Sequence, residues 1–170
     1  MNALKFVLMA VCFVSCGSNV REAKRVSKDF TREYTYLDTL IRIDGYYYRE
    51  DSAGLGGPFM VSNNSEFQIL HVRYKNHIQI QEEFRNDKSD KSGKGKGNYT
   101  LSGDTIKVRW ALPYQIWCYD IFSQQYLIVN DTTLRRISHL CETCNSSNGE
   151  MRDTARGEIY KFQEFQVNTR

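Results

Sequence analysis

The sequence predicts an all-β protein, an antiparallel up-and-down barrel or sandwich of about eight or nine strands. Three observations carry this. Residues 98–110 hold two runs of alternating apolar and polar residues, joined by Gly103-Asp104, a pair suited to a two-residue hairpin turn with Gly at the first positive-φ position. Further runs rich in aromatic and β-branched residues recur at short intervals, with turn-forming pairs between them. No stretch between those runs shows convincing helical periodicity. The composition is aromatic, at 13% of the chain with 11 tyrosines, and there are only two prolines.

Ahead of the β region, Lys5 gives a positive start and residues 6–14 form nine apolar positions in a row. That is too short for a spanning helix, which needs about 20 residues, but it fits the apolar part of an export signal. The run closes on Ser15 and Cys16, followed by small, polar Gly17-Ser18-Asn19. Phe13-Val14-Ser15-Cys16 resembles the lipobox of bacterial lipoproteins, with Phe13 where that family usually has Leu. The resemblance implies a signal peptide at 1–15, cleavage before Cys16, lipidation of Cys16 and attachment to the membrane through that lipid. An ordinary secretory signal cut after Ser15, with an incidental cysteine, is the plainer alternative. Gly17 stands where Asp would imply retention at the inner membrane, so the resemblance implies passage to the outer membrane. No acidic cluster of the surface-export kind follows Cys16, which implies a domain facing the periplasm.

Removing the first 15 of 170 residues leaves 155, enough for one domain with a real core. The formal charge of +3 falls to +2 with the loss of Lys5. That balance argues against a dedicated nucleic-acid binder. No later segment has the length to cross a bilayer as a helix, so anchoring rests on lipid, and durable anchoring takes more than one acyl chain.

Residues 17–33 are dense in charge. Val20, Ala23, Val26 and Phe30 recur at helical steps, so an amphipathic helix is one reading and a tether over 16–36 is the commoner one. The β domain is expected over 37–170. Strand 43–50 is Tyr-rich and entered through Gly45. The glycines at 54, 56 and 57 with Pro58 read as a flexible loop over 51–58. Strands are expected at 67–74 and 78–84, around a tight turn at Lys75-Asn76-His77. A solvated lysine- and glycine-bearing loop follows over 87–97. After the 98–110 hairpin, strands are expected at 114–122 and 125–129, then at 133–137 beyond an Asn130-Asp131 turn, and at 158–165. Asp-Thr pairs at 38–39, 104–105 and 131–132 read as turns feeding strands. Those triplets, with 51–53 and 153–155, also resemble the Asp-Ser/Thr-apolar acceptor of Bacteroidetes O-glycosylation, best placed at Ser52 and Thr154.

Few residues suggest chemistry. With Cys12 lost in the signal and Cys16 lipidated, Cys118, Cys141 and Cys144 remain. Cys141 and Cys144 form a Cys-x-x-Cys without the strand-helix frame of thiol oxidoreductases, so a structural disulfide is expected, either within the pair or to Cys118. His139 with the three cysteines would make a zinc set, but only one Cys-x-x-Cys half is present, and no metal or other cofactor is assigned. His71 and His77 read as surface or strand-flank residues. Glu82 and Glu83, adjacent on an expected strand, would point to opposite faces and could not act as an acid–base pair. No catalytic residue is assigned and the chain is not expected to be an enzyme.

Gly45-Tyr46-Tyr47-Tyr48, residues 97–108 and Ile159-Tyr160-Lys161-Phe162 together resemble the small lipocalin-like lipoproteins of Bacteroidetes. A lipocalin proper would have Gly-x-Trp where this chain has Gly45-Tyr46-Tyr47. The resemblance implies an envelope binding module whose barrel mouth takes an apolar or amphipathic ligand, lined by Trp110, Trp117 and Tyr99. The alternative is a loop-mediated interaction protein, an accessory subunit or inhibitor of an envelope protein. A barrel filled by its own aromatics would favour that alternative.

Overall fold

A computed structural model describes residues 21–22, 25–26, 37–86, 94–115, 118–142 and 157–166, with the side chains of 113–119 outside that description. Eight antiparallel strands close into one barrel in simple sequence order: β1 (Gly45–Asp51), β2 (Gly54–Val61), β3 (Glu66–Leu70), β4 (Lys94–Ser102), β5 (Thr105–Gln115), β6 (Cys118–Asn130), β7 (Thr133–Cys141) and β8 (Ile159–Glu164). Closure is made by β1 on β8, with Tyr47 opposite Phe162. The expected all-β antiparallel barrel is the observed fold, and closure removes the exposed edges an open sheet would carry.

The hairpin forms as its alternation dictates. Ser102 faces Thr105 across Gly103-Asp104, and Gly103 takes φ 56. Ile106, Val108 and Trp110 point inward and are fully buried, while Lys107 between them is exposed. The barrel interior collects Tyr47, Phe59, Phe67, Trp110, Tyr126 and Tyr160 in one apolar cluster with aliphatic partners from every side. One end is plugged by a short helix, α1 (Leu37–Leu40), whose Leu37 joins that cluster together with the following Ile41. The plug is fastened by the Tyr47 hydroxyl, which donates to the Arg42 and Asp131 carbonyls at 3.1 and 2.9 Å.

Several expected elements differ. Residues 78–84 are not a strand but lie in helix α2 (His77–Arg85), so the chain does carry an intervening helix. The His-Ile-Gln-Ile-Gln run alternates like a strand, yet Asn76, expected in a tight turn, accepts from the Gln79 amide at 3.0 Å as an N-cap. Lys94 closes the other end of the helix by donating to the carbonyls of Glu83 and Asn86. Helical spacing sends Ile80 and Phe84 to the same side, onto a second apolar cluster with Tyr46, Leu55, Leu70 and Tyr74 outside the barrel wall. Glu82 and Glu83 thus sit on a helix, and Ile78 is left 63% exposed.

The glycine-rich stretch 51–58 is mostly β2, not a loop. The chain turns at 52–53, then Gly54, Leu55 and Gly56 pair with Asp51, Glu50 and Arg49. The register shifts beside Gly57 (φ 54) and Pro58, the residues a bulge tolerates best. Likewise, residues 94–97 of the expected lysine loop belong to β4, where inward Gly95 and Gly97 alternate with outward Lys96. A Cβ at Gly95 would come 3.0 Å from Trp110 Nε1 and 2.9 Å from Ile69 Cγ2, so glycine makes the space the indole fills. Residues 114–122 and 125–129 are parts of the long pair β5–β6, with one unbroken strand running from Cys118 to Asn130. The segment 67–74 stops being strand at Leu70, and the expected turn at Asp38-Thr39 is α1. In the stretch read as tether or helix, the four described residues are helical. Val26 is buried, its carbonyl accepts from Asn98, and Glu22 pairs with Arg109 at 3.0 Å.

Candidate functional site

Strand direction places the plug, the Gly103-Asp104 turn and the Asp131-Thr132 turn at one end of the barrel. Asp51, His71, Lys94 and Glu158 fall at the other. At this far end α2 connects β3 to β4, with Ile80 and Phe84 packed on the cluster outside the wall. The inner wall of this end changes character from apolar to mixed aromatic and charged, and there the candidate site lies.

On one side is an aromatic–imidazole group. The Trp110 indole stacks on Phe122, with centroids 5.4 Å apart and planes 17° apart, and His139 lies against Phe122 at 5.9 Å. Trp110 Nε1 donates to His71 Nε2 at 2.9 Å, which fixes that nitrogen as an unprotonated acceptor. Burial, and secondarily the charge of His139, holds the His71 imidazole well below its usual range, at about 4. His71 is exposed as a residue, but the nitrogen that would take the proton is the one turned to Trp110.

On the other side, charges face inward. Arg49 on β1 and Arg136 on β7 converge on one carboxylate, Glu158, just before β8. Arg49 Nη1 pairs with Oε1, and Arg136 Nη2 with Oε2 at 2.9 Å. Arg49 also reaches Asp51 at 3.2 Å, a carboxylate shared with Arg73. The Arg136 side chain is only 9% exposed, against 23% for Arg49 and 22% for Glu158. The Nε atoms of both arginines are shielded from solvent and have no acceptor among the described residues. Hydrogen-bonded side chains lie between the two sides, with the Tyr126 and Tyr160 rings edge to face at 5.4 Å. Gln124 Nε2 meets His139 Nδ1 at 2.5 Å, Tyr126 donates its hydroxyl to Gln124 Oε1, and the Tyr160 hydroxyl lies 3.5 Å from Glu158 Oε2. Burial pushes the Tyr126 phenol well above its usual value and raises Tyr160 as well, so both stay neutral donors.

The residues expected from sequence are only partly brought together. Trp110, expected to line a ligand, is fully buried in the far part of the interior. Tyr99 is inward and buried, but its hydroxyl donates to the Ser62 carbonyl at 2.7 Å near the plugged end, so it supports the wall and does not share Trp110's site. Trp117, Cys16, Cys144 and the side chain of Cys118 lie outside the described residues. Cys141 ends β7 and is disulfide-bonded, to a cysteine outside the described side chains. His77, expected on a strand flank, opens α2, with Nδ1 2.8 Å from the Tyr46 hydroxyl.

Sequence reasoning missed Arg49, Arg136 and Glu158. The signal was strand parity. Arg49 follows inward Tyr47 by two, Arg136 follows inward Leu134 by two, and Glu158 precedes inward Tyr160 by two.

Fold and site together define a small closed antiparallel barrel, plugged at one end, with an aromatic and cationic inner wall at the other. Compared with family models, curated proteins and solved structures, the chain matches none.

Proposed function

We propose that the chain is a membrane-anchored envelope lipoprotein, tethered through Cys16 to the outer membrane and facing the periplasm. Its barrel is a binding module for an amphipathic ligand. The observation that supports a ligand-binding reading is the far end itself, where part-exposed Phe122 and two imidazoles, backed by the buried Trp110, lie beside inward-pointing arginines. Eight strands leave space for side chains or one small ligand. Here the deeper interior is occupied by Phe59, Phe67, Tyr126 and Tyr160, all 3% exposed or less. The ligand therefore engages the end of the barrel and does not thread its axis.

That same filled interior favours the second reading, a loop-mediated interaction module for an envelope protein. Native mass spectrometry of the purified protein separates the two. A stoichiometric small molecule supports the first reading, and a stoichiometric protein partner supports the second. For the anchor, metabolic labelling with a fatty-acid analogue is expected to mark the native chain and not Cys16→Ala. An unlabelled native chain would remove the lipoprotein assignment while leaving the barrel's role to be judged on its own.

A further inference from the structure

We propose that Arg49 and Arg136 form a seat for an oxyanion head, carboxylate or phosphate, of the amphipathic ligand. The inference rests on the binding-module reading and adds the chemistry of the ligand's polar end.

The two guanidiniums present up to ten N–H donors. Facing them inside the barrel are one whole carboxylate, Glu158, and a share of Asp51, which Arg73 also engages. Arg136 is nine-tenths buried, and its Nε–H, like that of Arg49, has no acceptor among the described residues. A buried donor left unmade carries a large desolvation cost, and a buried cation more so, unless a further anion shares it. Planar guanidiniums are matched by the paired oxygens of carboxylate and phosphate.

The surroundings fit such a head. Across from Arg49, β2 supplies only backbone. A Cβ at Gly56 would come 3.2 Å from Arg49 Nη2, and one at Gly57 would come 3.6 Å from Tyr160 Oη. Arg49 and Glu158 are each about one-fifth exposed, so the pair is partly open to solvent. The neutral phenol of Tyr160 adds a nearby donor, and part-exposed Phe122 with the His71 and His139 rings against it gives the apolar remainder of the ligand somewhere to lie.

The test uses the purified full chain and four probes with the same ten-carbon tail: decanoate, decyl phosphate, decanol and decyltrimethylammonium. Binding is read by calorimetry. Decanoate or decyl phosphate is expected to bind at least tenfold tighter than decanol, and the cation not at all. Which of the two anions wins identifies the head as carboxylate or phosphate. Arg49→Gln is expected to lower anion affinity about tenfold, the change that 1.4 kcal/mol makes. Glu158→Gln is expected to raise it, because it removes the competing carboxylate. A purely structural ion pair predicts no gain from Glu158→Gln. Arg136→Gln is more buried and is scored only if its melting curve stays cooperative. Decanol binding as tightly as the anions, with Arg49→Gln and Glu158→Gln unchanged, overturns the oxyanion seat and leaves the binding module standing. No binding of any probe overturns the seat and counts against the module as well.

Discussion

His71 shows how burial sets a pH response. An unfolded histidine titrates near 6.5, whereas in the fold burial and His139 hold this one down to about 4. Between those values the unfolded chain binds more protons, so the stability His71 contributes is fully present above about pH 6.5. It is lost as pH falls toward 4. Thermal midpoints are expected to drop across that window, and His71→Gln is expected to flatten part of the drop. An identical pH slope in the variant would show that His71 does not contribute to the drop. Gly95 makes a complementary point about volume. Placing a methyl group there crowds Trp110 and Ile69, so Gly95→Ala is expected to cost about 1–3 kcal/mol in urea unfolding. A variant as stable as the native chain would mean that the indole can shift freely.

At the scale of elements, α2 is stabilised by its cap and by one buried apolar residue, Ile80, more than by its own propensity. Asn76→Ala is expected to cost about 1 kcal/mol. Ile80→Ala, at a position with no exposure against Tyr46, Leu55, Leu70 and Tyr74, is expected to cost about 2–5 kcal/mol. If α2 were a dispensable attachment, both changes would leave the unfolding midpoint alone. The plug α1 is bound more intimately still. Leu37 and Ile41 belong to the interior cluster, so Leu37→Ala is expected to destabilise the whole barrel by about 2–5 kcal/mol and not merely fray an end. Hydrogen exchange that rose only at residues 37–41 would show the plug to be an independent unit.

For the whole molecule, closure decides what the far end can do. Arg49, Arg136 and Glu158 come from three different stretches and meet only because β7, β8 and β1 are neighbours in the ring. The disulfide at Cys141 sits where β7 leaves the barrel. Reduction is therefore expected to lower the thermal midpoint, because a crosslink restricts the unfolded chain. An unchanged midpoint under reductant would make that bond incidental to folding. The described residues 21–22 and 25–26 also touch the outer wall, through Glu22 on Arg109 and the Val26 carbonyl on Asn98. Glu22→Ala is expected to loosen that contact with little cost to the barrel, since a part-exposed ion pair contributes roughly 0–1 kcal/mol.

The sequence by itself determined the 98–110 hairpin, the shared apolar face of Ile106, Val108 and Trp110, and the all-β class, because two-residue alternation is a local signal that needs no partner to be read. It misdirected at 78–84 and at 51–58. There alternation and glycine content point one way locally, while a capped helix on the outer wall and a close approach by Arg49 require another. Only the tertiary structure decided that Gly95 exists for the Trp110 indole, that Tyr99 serves the wall, and that two arginines share one glutamate. Those facts depend on which strands become neighbours when the sheet closes, and closure is a property of the whole ring and of no single segment within it.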